Sequence, residues 1–183
     1  MNKRALAVSE AVGCVVIYAA AVFLHFYYPI SSGSPLSILY GAVNESVWEH
    51  VKIFSAGYTG YALLQLCWVK APFKRYVVAK CAGLYFLMLV MIGFFYLYTF
   101  IVGRNIPIID ITSSAVFVVL AQAISFRMIT SESKIEEYFA PALMLLMLYY
   151  LMFFSFTIFP PKLGLFRDPI SGGYGLIYND GIV

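Results

Sequence analysis

Tyr138-Phe-Ala-Pro-Ala-Leu-Met-Leu-Leu-Met-Leu-Tyr-Tyr-Leu-Met-Phe-Phe-Ser-Phe-Thr-Ile-Phe159 runs for 22 residues without a single charge. A bilayer core about 30 Å thick takes about 20 apolar residues in a helix. The stretch therefore reads as a membrane-spanning helix. Four more stretches read the same way. Residues 5–28 are interrupted only by Glu10 and His25, and residues 51–69 carry Lys52 in the first turn. Residues 76–102 hold one charge, Lys80, and residues 106–126 hold Asp110 near their start. None alternates at period two, as the strands of a membrane β-barrel would.

Composition points the same way. The 183-residue chain is 62% hydrophobic and 11% charged, against about 25% charged in a soluble domain. A soluble fold of this size would expose apolar patches far larger than monomers tolerate. A net charge of +3 with no dense basic stretch excludes a nucleic-acid binder. The prediction is an all-α, polytopic transmembrane helix bundle of about five spanning helices. It forms a single domain over residues 1–183, with residues 160–183 as a tail at the outer face.

Lys3-Arg4 and the small residues Ala19-Ala20-Ala21 would suit a cleaved signal peptide. Glu10 inside the apolar run argues that the first stretch stays as a span. Orientation follows from the basic residues. An N-terminus inside places Lys3, Arg4, Lys70, Lys74, Arg75, Lys80, Arg127 and Lys134 on the cytoplasmic side, eight in all. Four lie outside: Lys52, Arg104, Lys162 and Arg167. The expected location is the cell membrane, N-terminus cytoplasmic and C-terminus extracytoplasmic. Cys14, Cys67 and Cys81 would then lie in cytoplasmic halves of their helices and stay reduced.

In that topology the unusual polar groups converge on the outer side. They are His25, the string Asn44-Glu45-Ser46-Val47-Trp48-Glu49-His50-Val51-Lys52, Asp110, and the tail Arg167-Asp168-Pro169-Ile170-Ser171-Gly172-Gly173-Tyr174-Gly175. Ionisable groups at membrane depth persist mainly where they pair, line a cavity or carry function. Three readings stand side by side. Glu49 pairs with Lys52, Trp48 anchors the membrane interface and Asn44 caps a helix running from Glu45 to Ala71. Alternatively, His25, Glu45, Glu49 and His50, with Asp110 and Asp168 nearby, hold a divalent transition metal, since imidazole with carboxylate suits zinc, manganese or iron. In the third reading Ser46 and His50, one turn apart, act with Glu45, Glu49 or Asp110 as orienting carboxylate in acid–base or nucleophilic catalysis.

The tail carries apolar anchors, Leu165, Phe166, Tyr174, Leu176 and Ile177, beside Arg167 and Asp168. Disordered tails are poorer in such residues, so a lid over the outer vestibule is expected. Arg167 or Asp168 should contact the Glu45, Glu49, His50 and Lys52 cluster, with Arg167 neutralising a carboxylate there. Asn44, Trp48, Lys52, Arg167, Asp168 and Tyr174 are the expected ligand-binding residues. Ser55, Gly57 and Gly60 should allow close helix contact on the second span.

The string NESxWEHxK over residues 44–52, with Leu165-Phe166-Arg167-Asp168-Pro169 and Gly173-Tyr174-Gly175 downstream and His25 and Tyr28 near the end of the first helix, resembles an uncharacterised family of small bacterial membrane proteins of Firmicutes type. The resemblance covers the whole chain and implies a multi-span topology without an assigned activity. A weaker likeness is to membrane hydrolases of the alkaline-ceramidase type, which have more spans and more histidines. In size the chain also resembles substrate-binding subunits of vitamin transporters. The functional expectation is an outward-facing polar site for a small ligand or lipid, with metal-dependent or acid–base hydrolysis as its chemistry. The competing expectations are a ligand-binding or transport subunit without chemistry, and a structural partner of another membrane protein. The sequence leaves the oligomeric state open.

Overall fold

A computed structural model describes residues 2–176. Its elements are α1 (Lys3–Ile30), α2 (Pro35–Tyr40), α3 (Val47–Gln65), α4 (Phe73–Val102), α5 (Pro107–Thr130) and α6 (Phe139–Ile158), with 3-10 turns at Ile135–Tyr138 and Gly164–Phe166. Long-range contacts show that α1, α3, α4, α5 and α6 run alternately up and down. Ser9 near the start of α1 meets Tyr61 and Gln65 near the end of α3. Arg75 at the start of α4 binds the carbonyls of Ser131 and Ser133 after α5, and Glu136 before α6. At the opposite end Tyr98 meets Asp110 across the α4–α5 turn. The chain is thus an all-α bundle.

Among the described residues four helices, α1, α4, α5 and α6 with its leading turn, are long and apolar enough to cross a membrane. The five expected apolar runs reduce to four by this measure, and the difference lies in α3. At about 1.5 Å per residue its 19 residues still reach about 28 Å. It sits innermost, with Trp48, Glu49, Lys52, Ser55, Tyr58 and Gln65 all buried. A helix shielded by its neighbours needs no apolar surface against lipid. The expected 51–69 boundaries are therefore displaced: α3 begins at Val47 and ends at Gln65, and it does not extend to Ala71. The short α2, capped by Ser34 with Pro35 in its first turn, was not expected.

The core joins Ile17 and Ala21 of α1, Val51, Phe54 and Tyr58 of α3, Leu84 and Leu87 of α4, Val118 and Ala121 of α5, and Tyr149 and Phe153 of α6. Tyr149 and Tyr150 hydrogen-bond Ser55 and Thr59 across the α3–α6 contact. Gly57 makes the α1–α3 approach: a Cβ there would lie 2.9 Å from the Ile17 carbonyl oxygen. Gly60, expected to do the same, faces open space. Gly57→Ala should destabilise the bundle by about 1–3 kcal/mol through overpacking. Gly60→Ala should be neutral or stabilising by up to about 1 kcal/mol, because alanine favours the helix. Unfolding midpoints of the two purified variants compare them directly.

The chain after α6 turns at Pro160 and folds back across the bundle end. Phe166 packs its ring 5.3 Å from Trp48 and 5.2 Å from Phe156. Asn44 donates from Nδ2 to the Gly175 carbonyl at 2.8 Å. Residues 167–174 form a tight hairpin, bridged between Arg167 and Tyr174. Gly172 and Gly175 take φ of 73° and 66°, which other residues rarely adopt. Ile177, expected among the anchors, lies outside the described residues.

Candidate functional site

Local backbone chemistry brings the string at residues 44–52 against α1. Gly41 ends α2, and a Cβ there would lie 2.8 Å from the Ser37 carbonyl and 3.1 Å from that of Leu24. The missing side chain lets the Ala42 amide donate to the Leu24 carbonyl at 3.2 Å. The following residues therefore run beside the last turns of α1, the part that carries His25. Ser46 is the N-cap of α3, its hydroxyl accepting from the Glu49 amide at 3.4 Å. Asn44, the expected cap, instead accepts from the Ser46 amide at 2.9 Å and so steadies the capping residue.

Three side chains converge here. His25 Nε2 lies 3.7 Å from Glu45 Oε1, and His50 Nε2 lies 3.5 Å from Glu45 Oε2. One ligand atom from each residue falls within 4.8 Å of the other two. The imidazole rings are 5.3 Å apart between centroids. All three residues are partly exposed to solvent. His50 Nδ1 is 2.9 Å from the Ser46 carbonyl oxygen. A carbonyl only accepts, so Nδ1 carries the proton and donates. In the neutral ring this leaves Nε2 with a bare lone pair facing Glu45. Two bare acceptors this close repel unless a proton or a cation lies between them. Zinc bonds of about 2.0–2.1 Å in a tetrahedron hold ligand atoms about 3.4 Å apart. The two histidine–Glu45 distances, 3.7 and 3.5 Å, lie near this, while the trio as a whole spans up to 4.8 Å and would draw in around an ion.

The other expected site residues are placed elsewhere. Glu49, expected as a metal ligand or catalytic carboxylate, is buried, paired to Lys52 and accepting from the Val43 amide at 3.0 Å. Lys52, expected as a ligand-binding residue, donates to the Ile38 carbonyl and to Thr157, each at 3.1 Å. Both are turned inward because the α3 face they share meets α2 and α6. Ser46, expected as a nucleophile, is 1% exposed and its hydroxyl serves the cap. It is the Ser46 carbonyl that meets His50, so the two do not form a nucleophile–base pair. Asp110 accepts from the Tyr98 hydroxyl at 2.6 Å at the α4–α5 turn and lies outside the three-residue cluster. Trp48, expected to anchor the membrane interface, is buried between Phe156 and Phe166 and presents its ring to protein.

Arg167 was expected to clamp a carboxylate of the outer cluster. Its Nε donates instead to the Gly172 carbonyl of its own hairpin, and the side chain is exposed. Removing it would strand no buried partner. The carboxylate of Asp168 accepts from the amides of Ile170 and Ser171 and from the Ser171 hydroxyl. Burial pushes its pKa up, but these hydrogen bonds and the nearby Glu45 amide outweigh burial and hold it below the usual aspartate value. Tyr174 is half-buried on the partner side of the hairpin. The tail thus meets residues 44–48 through Asn44, Trp48 and the Glu45 backbone rather than through Arg167.

Sequence reasoning marked Glu10 and Lys80 as charges within apolar runs but did not pair them; they centre a second polar cluster, at the end of the bundle that carries the N-terminus. Glu10 and Lys80 stand 70 residues apart and form a buried ion pair. The available signal was opposite charge: Glu10 is the one acid in residues 5–28 and Lys80 the one charge in residues 76–102, and such groups seek one another in a membrane.

Over residues 3–176 the chain matches the family described as a family of unknown function, DUF6512. No curated protein and no solved structure matches the chain.

Proposed function

Given that the chain belongs to the family of unknown function DUF6512, we propose that it is an integral membrane protein whose outward-facing end binds a divalent transition metal through His25, Glu45 and His50. The observation that carries this reading is the convergence of two imidazole nitrogens and a carboxylate, with the His50 tautomer set by the Ser46 carbonyl. A carbonyl that holds the other ring nitrogen in this way orients a metal-ligating histidine. Two histidines and one carboxylate leave coordination positions open to water or substrate. An ion there would polarise a bound water or a substrate carbonyl, the chemistry of hydrolysis on a small ligand or a lipid. The half-exposed setting at one end of the bundle favours a one-sided site over a transport path. Between it and the Glu10–Lys80 pair the bundle is filled by Ile17, Leu84, Leu87, Val118 and Ala121.

In this reading α1, α3, α4, α5 and α6 all cross the membrane, with the N-terminus cytoplasmic. Lys80 and Lys52 are buried and paired, so neither counts as a loop charge. That leaves seven basic residues at the N-terminal end and three, Arg104, Lys162 and Arg167, at the other. The bias is steeper than the sequence count suggested, and it favours the same orientation.

Metal analysis of the purified chain after zinc loading tests the site. One zinc per chain is expected, with His25→Ala or His50→Ala each weakening binding by more than about 10–100-fold, the loss that follows removal of a mere supporting partner. Arg167→Ala should bind zinc as the parent does. Absence of stoichiometric metal, or binding unchanged by the histidine variants, would overturn the reading.

A further inference from the structure

The Glu10–Lys80 pair sits inside the bundle between α1 and α4. Lys80 Nζ donates to both Glu10 carboxylate oxygens, at 2.9 and 2.8 Å, and to Gln122 Oε1 of α5 at 3.1 Å. The Tyr58 and Tyr76 rings lie 5.6 and 5.5 Å from Nζ. Room for this cluster comes from two glycines. A Cβ at Gly13 would lie 2.2 Å from Gln122 Nε2, and one at Gly83 would lie 2.1 Å from the Tyr58 hydroxyl.

On the N-terminal side the pair adjoins a run of hydrogen-bonding groups. Ser9 Oγ accepts from Gln65 Nε2 and Trp68 Nε1, each at 2.9 Å, and lies 3.1 Å from the Tyr61 hydroxyl. The Tyr76 hydroxyl shares its proton between the Ala62 carbonyl at 2.6 Å and Gln65 Oε1 at 2.9 Å, and the Gln65 side chain stands against Glu10. Ser9, Tyr61 and Trp68 also line an open surface groove of about 530 Å³, together with Asn2, Arg4 and the apolar Ala5, Val8 and Val12. The polar run thus starts at the bundle surface and ends at the ion pair. Two buried hydroxyls, Tyr58 Oη of α3 and Ser125 Oγ of α5, stand near each other without a well-formed hydrogen bond.

A buried ion pair is often no more stabilising than apolar residues of the same volume, so stability alone does not account for this one. Lys80 is the over-supplied partner. If the carboxylate became neutral, the ammonium would keep Gln122 Oε1 and two ring faces, which attract cations. We propose that Glu10 is a proton-binding site, loaded from the N-terminal end of the bundle by water entering beside the Ser9, Tyr61 and Gln65 side chains. The step is a simple uptake. A proton from water in the groove adds to a carboxylate oxygen, an ion pair becomes a hydrogen bond to a carboxylic acid, and Lys80 keeps its three protons. The titratable groups facing the site are Cys14 on α1, Tyr58 and Tyr61 on α3, and Tyr76, Lys80 and Cys81 on α4. Helix α5 contributes only the uncharged Gln122 and Ser125. Loading Glu10 loosens the tie between α1 and α4.

Infrared spectroscopy of the full chain in lipid nanodiscs tests this. A protonated-carboxyl signal should rise reversibly as pH falls from about 9 to about 5, the range open to buried carboxyls, and should vanish in Glu10→Gln. Should that variant fail to fold, Glu10→Gln with Lys80→Met removes both charges and must also lack the signal. Hydrogen–deuterium exchange of the signal should slow in Ser9→Val. No Glu10-dependent signal in that window would overturn the proton site, and exchange unchanged by Ser9→Val would overturn the route.

Discussion

Replacing Lys52 with methionine is expected to destabilise the protein by about 3–5 kcal/mol, the loss typical when one member of a buried pair is removed. Glu49 is 2% exposed and Lys52 is 1% exposed. Without the ammonium, the Glu49 carboxylate would keep only the Val43 amide as a partner inside the bundle. The same change would also free the Ile38 carbonyl and Thr157, which tie α2 and α6 to α3. Chemical unfolding of the purified protein in detergent would measure the loss. The double variant Glu49→Gln with Lys52→Met should recover much of it, because an uncharged pair leaves no stranded charge. If Lys52→Met unfolded at the same denaturant concentration as the parent, the pair would be without consequence for the fold.

Trp48→Ala should remove a similar amount, about 3–5 kcal/mol for a large aromatic truncated in a core. Trp48 is 4% exposed and is held between Phe156 of α6 and Phe166 of the returning tail. Its loss would open a cavity where three segments meet, so the tail should detach while the bundle holds. The expected readout is cleavage after Pro160 by a soluble protease at a concentration that leaves the parent intact. Equal resistance in parent and variant would show that Asn44 and the hairpin alone hold the tail.

Much of the architecture was legible in the sequence because a membrane-type helix is a one-dimensional property: enough consecutive apolar residues, bounded by breakers. Residues 138–159 and 76–102 satisfy it without reference to anything else. Helix α3 meets it over residues 51–69 only in part. Its Glu49, Lys52 and Gln65 are satisfied by partners on other elements, so local composition understates its place at the centre. The helix start was displaced for a related reason. Asn44 and Ser46 are both good capping residues, and the choice between them depends on where the Gly41 turn sends the chain.

The candidate site divides in the same way. His25, Glu45 and His50 stood out as polar groups at one end of apolar runs, and that much needed only the sequence and the bilayer. Separating Glu45, which faces the histidines, from Glu49, which faces Lys52, required the packing of α3 against α2 and α6. The Glu10–Lys80 pair and the Ser9 cluster likewise come from residues dozens of positions apart. The sequence by itself determined a helical membrane-type bundle and one end of it where polar side chains gather, because hydropathy and charge act residue by residue. Which carboxylate meets which base was decided only by the tertiary structure, because pairing depends on distances between helices that no spacing along one chain encodes.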